Sequence, residues 1–147
     1  MAPDGLTACI SKFGPKETMD RLAAAVITRE MSIMARIDHA AAAASVGMEL
    51  RPTEVLIFGN PRAGTPLMRA VQTVGVDLPL KAVVWQDECG TTWLAYNDPQ
   101  WLTHRHGVDA GLDRTLQAMP MPSPRLRGRQ PRDPPGGRRV SSAVSLL

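Results

Sequence analysis

The run VLIFGNPRAGTPLM, from Val55 to Met68, constrains this chain more than any other stretch, because an apolar strand there breaks into a turn and the turn hands over to a helix. Val55 to Phe58 is β-branched and aromatic, the composition of a buried strand, and Gly59-Asn60-Pro61 supplies three turn formers in succession. The helix is predicted to begin with Thr65 as its N-cap and Pro66 at its first position, where no amide hydrogen bond is needed, and to end at Gly75. This run is read as an interior β-to-α junction from which the flanking halves take their places.

Before it, Thr7 to Phe13 is predicted as a strand stopped by Gly14-Pro15. A helix follows from Lys16 to Arg29, with Met19, Leu22, Ala23, Val26 and Ile27 spaced to form one apolar face. Ile33, Ala35 and Ile37 alternate with Met34, Arg36 and Asp38, the period of a strand with one buried side; continued alternation turns His39 inward. Ala40 to Val46 reads as a short helix ending at Gly47.

After the junction, Asp77-Leu78-Pro79-Leu80 connects to a strand from Lys81 to Gln86. Asp87-Glu88-Cys89-Gly90 reads as a hairpin loop with Gly90 at positive φ, and Thr91 to Tyr96 as the returning strand. Asp98 and Pro99 are placed as N-cap and first residue of a helix that runs to His106 and stops at Gly107. Leu112, Leu116 and Met119 begin one more amphipathic helix, ended by Pro120. The expected fold is α+β: a single small domain over residues 1–118, with an antiparallel-rich sheet of about five strands backed by helices in the order β-α-β-α-β-α-β-β-α.

With 147 residues, 44% hydrophobic and 21% charged, the chain has the composition of a globular domain with one core, and no apolar run approaches the length of a membrane span. The first residues do not read as a signal peptide, so the cytoplasm is the expected compartment and no membrane partner is expected. Cys9 and Cys89 form no disulfide framework and cannot make a zinc site alone; Cys89 is expected to be an unreactive free thiol in a turn.

The net charge of +3 divides unevenly: residues 1–118 sum to −2, whereas residues 119–147 hold six arginines against the single Asp133, a net of +5. That last segment, rich in proline, glycine and arginine, is expected to be a disordered tail; sequence read out of frame in a GC-rich gene is the alternative. Nucleic-acid binding is therefore expected only as weak, non-specific contact by the tail.

Several ordered blocks carry a likeness. Arg36-Ile37-Asp38-His39-Ala40-Ala41, Val46 to Glu54, the FGNP-x-x-GTPLM run, Asp77 to Lys81, Val84-Trp85, Trp93, Tyr96-Asn97-Asp98-Pro99 and Arg105-His106-Gly107 together resemble the bacterial and archaeal family called domain of unknown function 302. The resemblance covers roughly residues 5 to 118 and implies a small α/β domain with an antiparallel-rich sheet backed by helices, commonly a homodimer. It implies no established activity. The chain departs from the family where members often carry a glycine between the first helix and second strand, having Glu30-Met31 instead, and again after Met119.

Chemical candidates are few. His39 and His106 fall in resemblance blocks and would form a site beside Asn60 only if the fold joins them; structural roles, a strand-end hydrogen bond and a helix C-terminal charge, are favoured. Asp38 and Asp98 would pair as acid and base on the same condition, but Asp98 has a full account as an N-cap. The GNPRAGT turn, with Arg62 and Thr65, invites a small anionic ligand, although it lacks the spacing of phosphate-cradling loops. Trp85, Trp93, Trp101 and Tyr96 are expected to cluster as core or dimer contact. No HxxxH or HExxH spacing exists, so neither metal nor cofactor is expected. The reading that emerges is a non-enzymatic, homodimeric domain that binds a small molecule or a protein; its ligand residues are His39, Asn60, Arg62, Thr65, Tyr96 and His106, and the alternative is an enzyme using His39, Asn60 and His106.

Overall fold

The computed structural model describes residues 3–109 and 111. In chain order its elements are β1 (Leu6–Ser11), α1 (Pro15–Thr28), β2 (Ser32–Asp38), α2 (His39–Ser45), β3 (Thr53–Gly59), α3 (Pro61–Ala70), a 3-10 turn (Gln72–Val76), β4 (Leu80–Gln86), β5 (Thr92–Asn97) and α4 (Pro99–His106). The α+β class and the expected order of elements are both found. The helix expected from Leu112 and the tail from residue 119 lie outside the described residues.

The five strands form one antiparallel sheet in the order β1-β5-β4-β3-β2. The middle strand is therefore β4; β3, which leads into the junction, lies one place from the edge. Helices α1, α3 and α4 and the 3-10 turn press Met19, Leu22, Val26, Leu67, Val74 and Leu102 onto a single face of the sheet, that of Leu56, Phe58, Leu80, Ala82, Val84 and Leu94. Two layers around one core result.

Local chemistry sets most of the element ends. Asp98 accepts from the Gln100 amide at 2.8 Å to cap α4, and Gly107 closes it with φ 64°. The hairpin closes over Asp87, whose carboxylate accepts from the amides of Cys89 (3.0 Å) and Thr91 (2.8 Å) and from Trp93 Nε1 (2.8 Å), with Gly90 at φ 80°. The Trp93 bond, then the amides, hold that carboxyl below its usual range.

Three expectations fail. Helix α3 starts at Pro61 with Asn60 as its cap, not at Pro66 with Thr65, so Pro66 lies inside the helix and leaves the Arg62 carbonyl without its helical donor. It also ends at Ala70, before the 3-10 turn that holds Gly75. In β2 the register shifts between Ile33 and Ala35, and Ile33 and Ile37 are 37% and 40% exposed, so the strand has no fully buried side. Asp38 then caps α2 through the Ala41 amide at 2.9 Å, and the chain leaves the sheet before the alternation can carry His39 inward.

Between α1 and β2 the chain turns through Glu30 at φ 58°, a conformation that favours glycine. An L side chain there costs roughly 1–2 kcal/mol, partly offset by the lower entropy of a glycine-free unfolded chain. Glu30→Gly is accordingly expected to raise the unfolding free energy by about 0.5–1 kcal/mol, read as a higher urea midpoint at constant m-value.

Candidate functional site

Among the described residues, an apolar concavity lies where β3 becomes α3. It encloses about 210 Å3 and is lined by Met34, Gly59, Asn60, Pro61, Gly64, Thr65, Met68, Leu78, Pro79 and Leu80. Each wall has a local cause. Met34 is the residue displaced by the shift in β2. Gly64 faces the cleft from α3, where a Cβ would stand at ordinary contact distance, 3.7 Å from Leu78 Cδ1 and 3.8 Å from Met68 Cε. The third wall is the segment Leu78-Pro79, joined by a cis peptide bond.

That third wall is pinned from behind. Asp77 Oδ2 meets His106 Nε2 at 2.6 Å, and its two oxygens each accept from Arg105 Nη1 at 3.1 Å. His106 Nδ1 meets Thr73 Oγ1 at 3.1 Å on its other side. Lys81 Nζ donates back to the carbonyls of Pro79 (3.2 Å) and Asp77 (3.4 Å). The last turn of α4 thus clamps the connector that shapes the cleft, with the side chains of His106 and Asp77 only 8% and 14% exposed.

Of the residues predicted from sequence, the cleft brings together Asn60 and Thr65. Arg62 stands exposed on the first turn of the same helix. Asn60 Oδ1 accepts from the Arg62 amide at 2.9 Å, while the amides of Ala63 and Gly64 donate to the Asn60 carbonyl at 3.0 and 2.9 Å. Since Pro61 has no N–H, the turn keeps no free amide for an anion. The Arg62 guanidinium remains the cation at that end.

His39 is the exposed first residue of α2 and has no part in the cleft. Its neighbour Asp38 sits in register with Glu54 and Val84, whereas the connector held by His106 enters β4 at Leu80, opposite Phe58. Val84 and Leu80 are about 13 Å apart along β4, before the spacing of two strands is added. Neither imidazole lines the concavities formed by the described residues, and Asp38 and Asp98 are each occupied as helix caps. Tyr96 packs on the core from β5, where burial holds its phenol above the ordinary value. The tryptophans do not form one cluster: Trp85 and Trp93 stack at 6.0 Å beside the hairpin, while Trp101 lies against Gly5 and Arg105.

Sequence reasoning missed Met68, Leu78 and Pro79 as lining residues and Asp77 and Thr73 as partners of His106. Only the spacing of Gly59, Gly64 and Pro79 hinted at a close approach, and it does not say what approaches. A second concavity, of about 330 Å3 and rimmed by charged side chains, lies at the other end of the sheet, near Lys16, Asp38 and Pro52. There Arg36 bridges Asp20 of α1 (2.8 Å) and Glu54 of β3, and the bond to Glu54 raises its pKa. Among the described residues no group of three or more His, Cys, Asp or Glu could hold a metal ion. Cys9 is pushed up to about 11 by burial, which keeps it a thiol.

Known proteins place the fold and the family. A crystal structure of an uncharacterised conserved DUF302 protein from Bacillus stearothermophilus matches with a TM-score of 0.69 at 21% identity, covering 79% of this chain and 90% of that one. The chain is also 43% identical over 115 residues to a protein of Brucella suis biovar 1 named fluoride-specific ion channel FluC 1, and to a namesake in Brucella abortus biovar 1. The match takes in 78% of this chain but 45% and 43% of those relatives, so the chain spans less than half their length. No helix of the described residues is long and apolar enough to cross a membrane. With the model of domain of unknown function DUF302 matching residues 8–120, the chain belongs to the DUF302 family.

Proposed function

We propose that this chain is a non-enzymatic, homodimeric binding domain of the cytoplasm that holds a small, largely apolar molecule in the β3–α3 cleft. The observation that carries the reading is the lining of that cleft: methionine, leucine, proline and glycine, with the polar groups of Asn60 and Thr65 and no histidine or carboxylate. Such a site orients a ligand by one polar end and supplies no proton donor or acceptor for a reaction. The volume suits a chain of roughly half a dozen carbons. An anionic end would lie towards Arg62, paired with its guanidinium rather than with helix amides.

Thermal melts with hexanoate, octanoate and octanol test this. A ligand at a hundred times its Kd stabilises by about 2.7 kcal/mol, a rise in Tm of roughly 10 °C for a domain of this size. Gly64→Leu, whose side chain would project into the cleft beside Met68 and Leu78, is expected to keep the fold and remove the shift. Wild-type protein that melts at one temperature in all three compounds would defeat the reading.

A second reading draws on the Brucella relatives, whose printed name is a fluoride-specific ion channel and whose length lies mostly outside the match. On that reading the domain is an accessory part that works beside a channel. Fluoride itself then needs no site in this chain, and sodium fluoride is expected to move the melt no more than sodium chloride does.

A further inference from the structure

The sheet has two apolar faces and the helices cover one. Along β3, β4 and β5 most residues between the core positions are themselves apolar (Val55, Ile57, Val83, Trp85, Trp93 and Ala95), the pattern of strands buried on both sides rather than of a sheet with a wet face. Register places Ile10, Val55, Ile57, Val83, Trp85 and Trp93 together on this second face. All six are partly exposed, and none belongs to the cluster beneath the helices.

Charged groups stand at the ends of this face, Asp87 by the hairpin and Lys81 at the other end. Lys81 is the cation whose stem crosses it, and its ammonium is folded back onto the carbonyls of Asp77 and Pro79 at the sheet end. Trp93 satisfies its indole N–H on Asp87, and its ring stacks on Trp85 at an interplanar angle of 12°, leaving an aromatic surface with no polar demand.

We infer that this open face packs against the same face of a second copy of the chain, sheet on sheet about a two-fold axis. Five strands of about six residues span roughly 500 Å2 in projection, and side-chain relief raises that to the several hundred Å2 per partner that specific dimers bury. A two-fold contact needs one self-complementary patch, and an aligned pair of sheets about 10 Å apart is a common way to supply it. Residues 120–147, with six arginines, six prolines and no aromatic, have a composition poorly matched to this apolar, aromatic face.

The inference rests on the homodimer reading above, and the test separates the two. Light scattering of the full-length chain at micromolar concentration is expected to give twice the 15.9 kDa of one chain. Ile57→Lys and, as the milder change, Trp85→Ala are each expected to weaken the dimer by roughly 30-fold or more while keeping native circular dichroism and a cooperative melt. Ile27→Lys, on the exposed outer side of α1, is expected to leave it intact. A dimer that survives both face variants overturns this surface and leaves homodimerisation standing. A monomeric wild-type chain overturns both, and another protein or another part of the chain then covers the face.

Discussion

Truncating Phe58 to alanine is expected to cost about 3–5 kcal/mol of unfolding free energy, measured as a fall in urea midpoint at unchanged m-value. Phe58 is fully buried, lies in register with Leu80 on one side and Ile33 on the other, and belongs to the cluster that joins α1, α3 and α4 to the sheet. Its removal leaves a void that three helices and two strands would have to collapse into. Since domains of this kind are stable by about 5–15 kcal/mol, the variant should approach unfolding. Ile57 supplies the contrast, because it points to the opposite, half-exposed face. Ile57→Ala should cost much less at the monomer level, and a loss as large as that of Phe58 would show that the two faces are not as distinct as the register makes them.

Asp77→Ala is expected to cost about 2–3 kcal/mol and to loosen the cleft at the same time. One carboxylate accepts from both His106 and Arg105, so its loss strands a nearly buried imidazole and frees the connector to Pro79 from α4. Arg105 is half exposed and adds little, because water screens that pair. The larger part comes from His106, whose Nε2 would face no acceptor. Amide exchange should therefore speed up at Leu78 and Lys81 more than at the hairpin. Uniform acceleration across the sheet would mean that Asp77 acts on global stability alone.

Residues whose structure follows from their own neighbours were legible. Asp98-Pro99 starts a helix and Gly107 ends it because cap, fixed φ and left-handed glycine act within one or two turns. The hairpin is local in the same sense, its Asp87 binding residues two, four and six positions away. The junction was ambiguous because two cap-proline pairs, Asn60-Pro61 and Thr65-Pro66, lie five residues apart. Taken alone, the second avoids a proline inside the helix. The first wins because it seats Leu67 at 0% exposure in the core and brings Gly64 against Leu78, a gain in packing that no local rule contains.

The candidate site was half legible for the same reason. Asn60, Arg62 and Thr65 belong to one local turn and were found together, whereas Met34 and Pro79 reach the cleft from segments far away in the chain. His39 and His106 sit in equally suggestive blocks of sequence, yet strand pairing puts them at opposite ends of the sheet.

By itself the sequence determined the order of elements, the cap and stop of α4 and the β4–β5 hairpin, since these depend on interactions spanning a few residues. Tertiary structure alone decided which residues share a cavity, which histidine is clamped and which face of the sheet is left open. Those outcomes depend on register and burial, and the free energy that sets them comes from surfaces that meet only once the whole chain has folded.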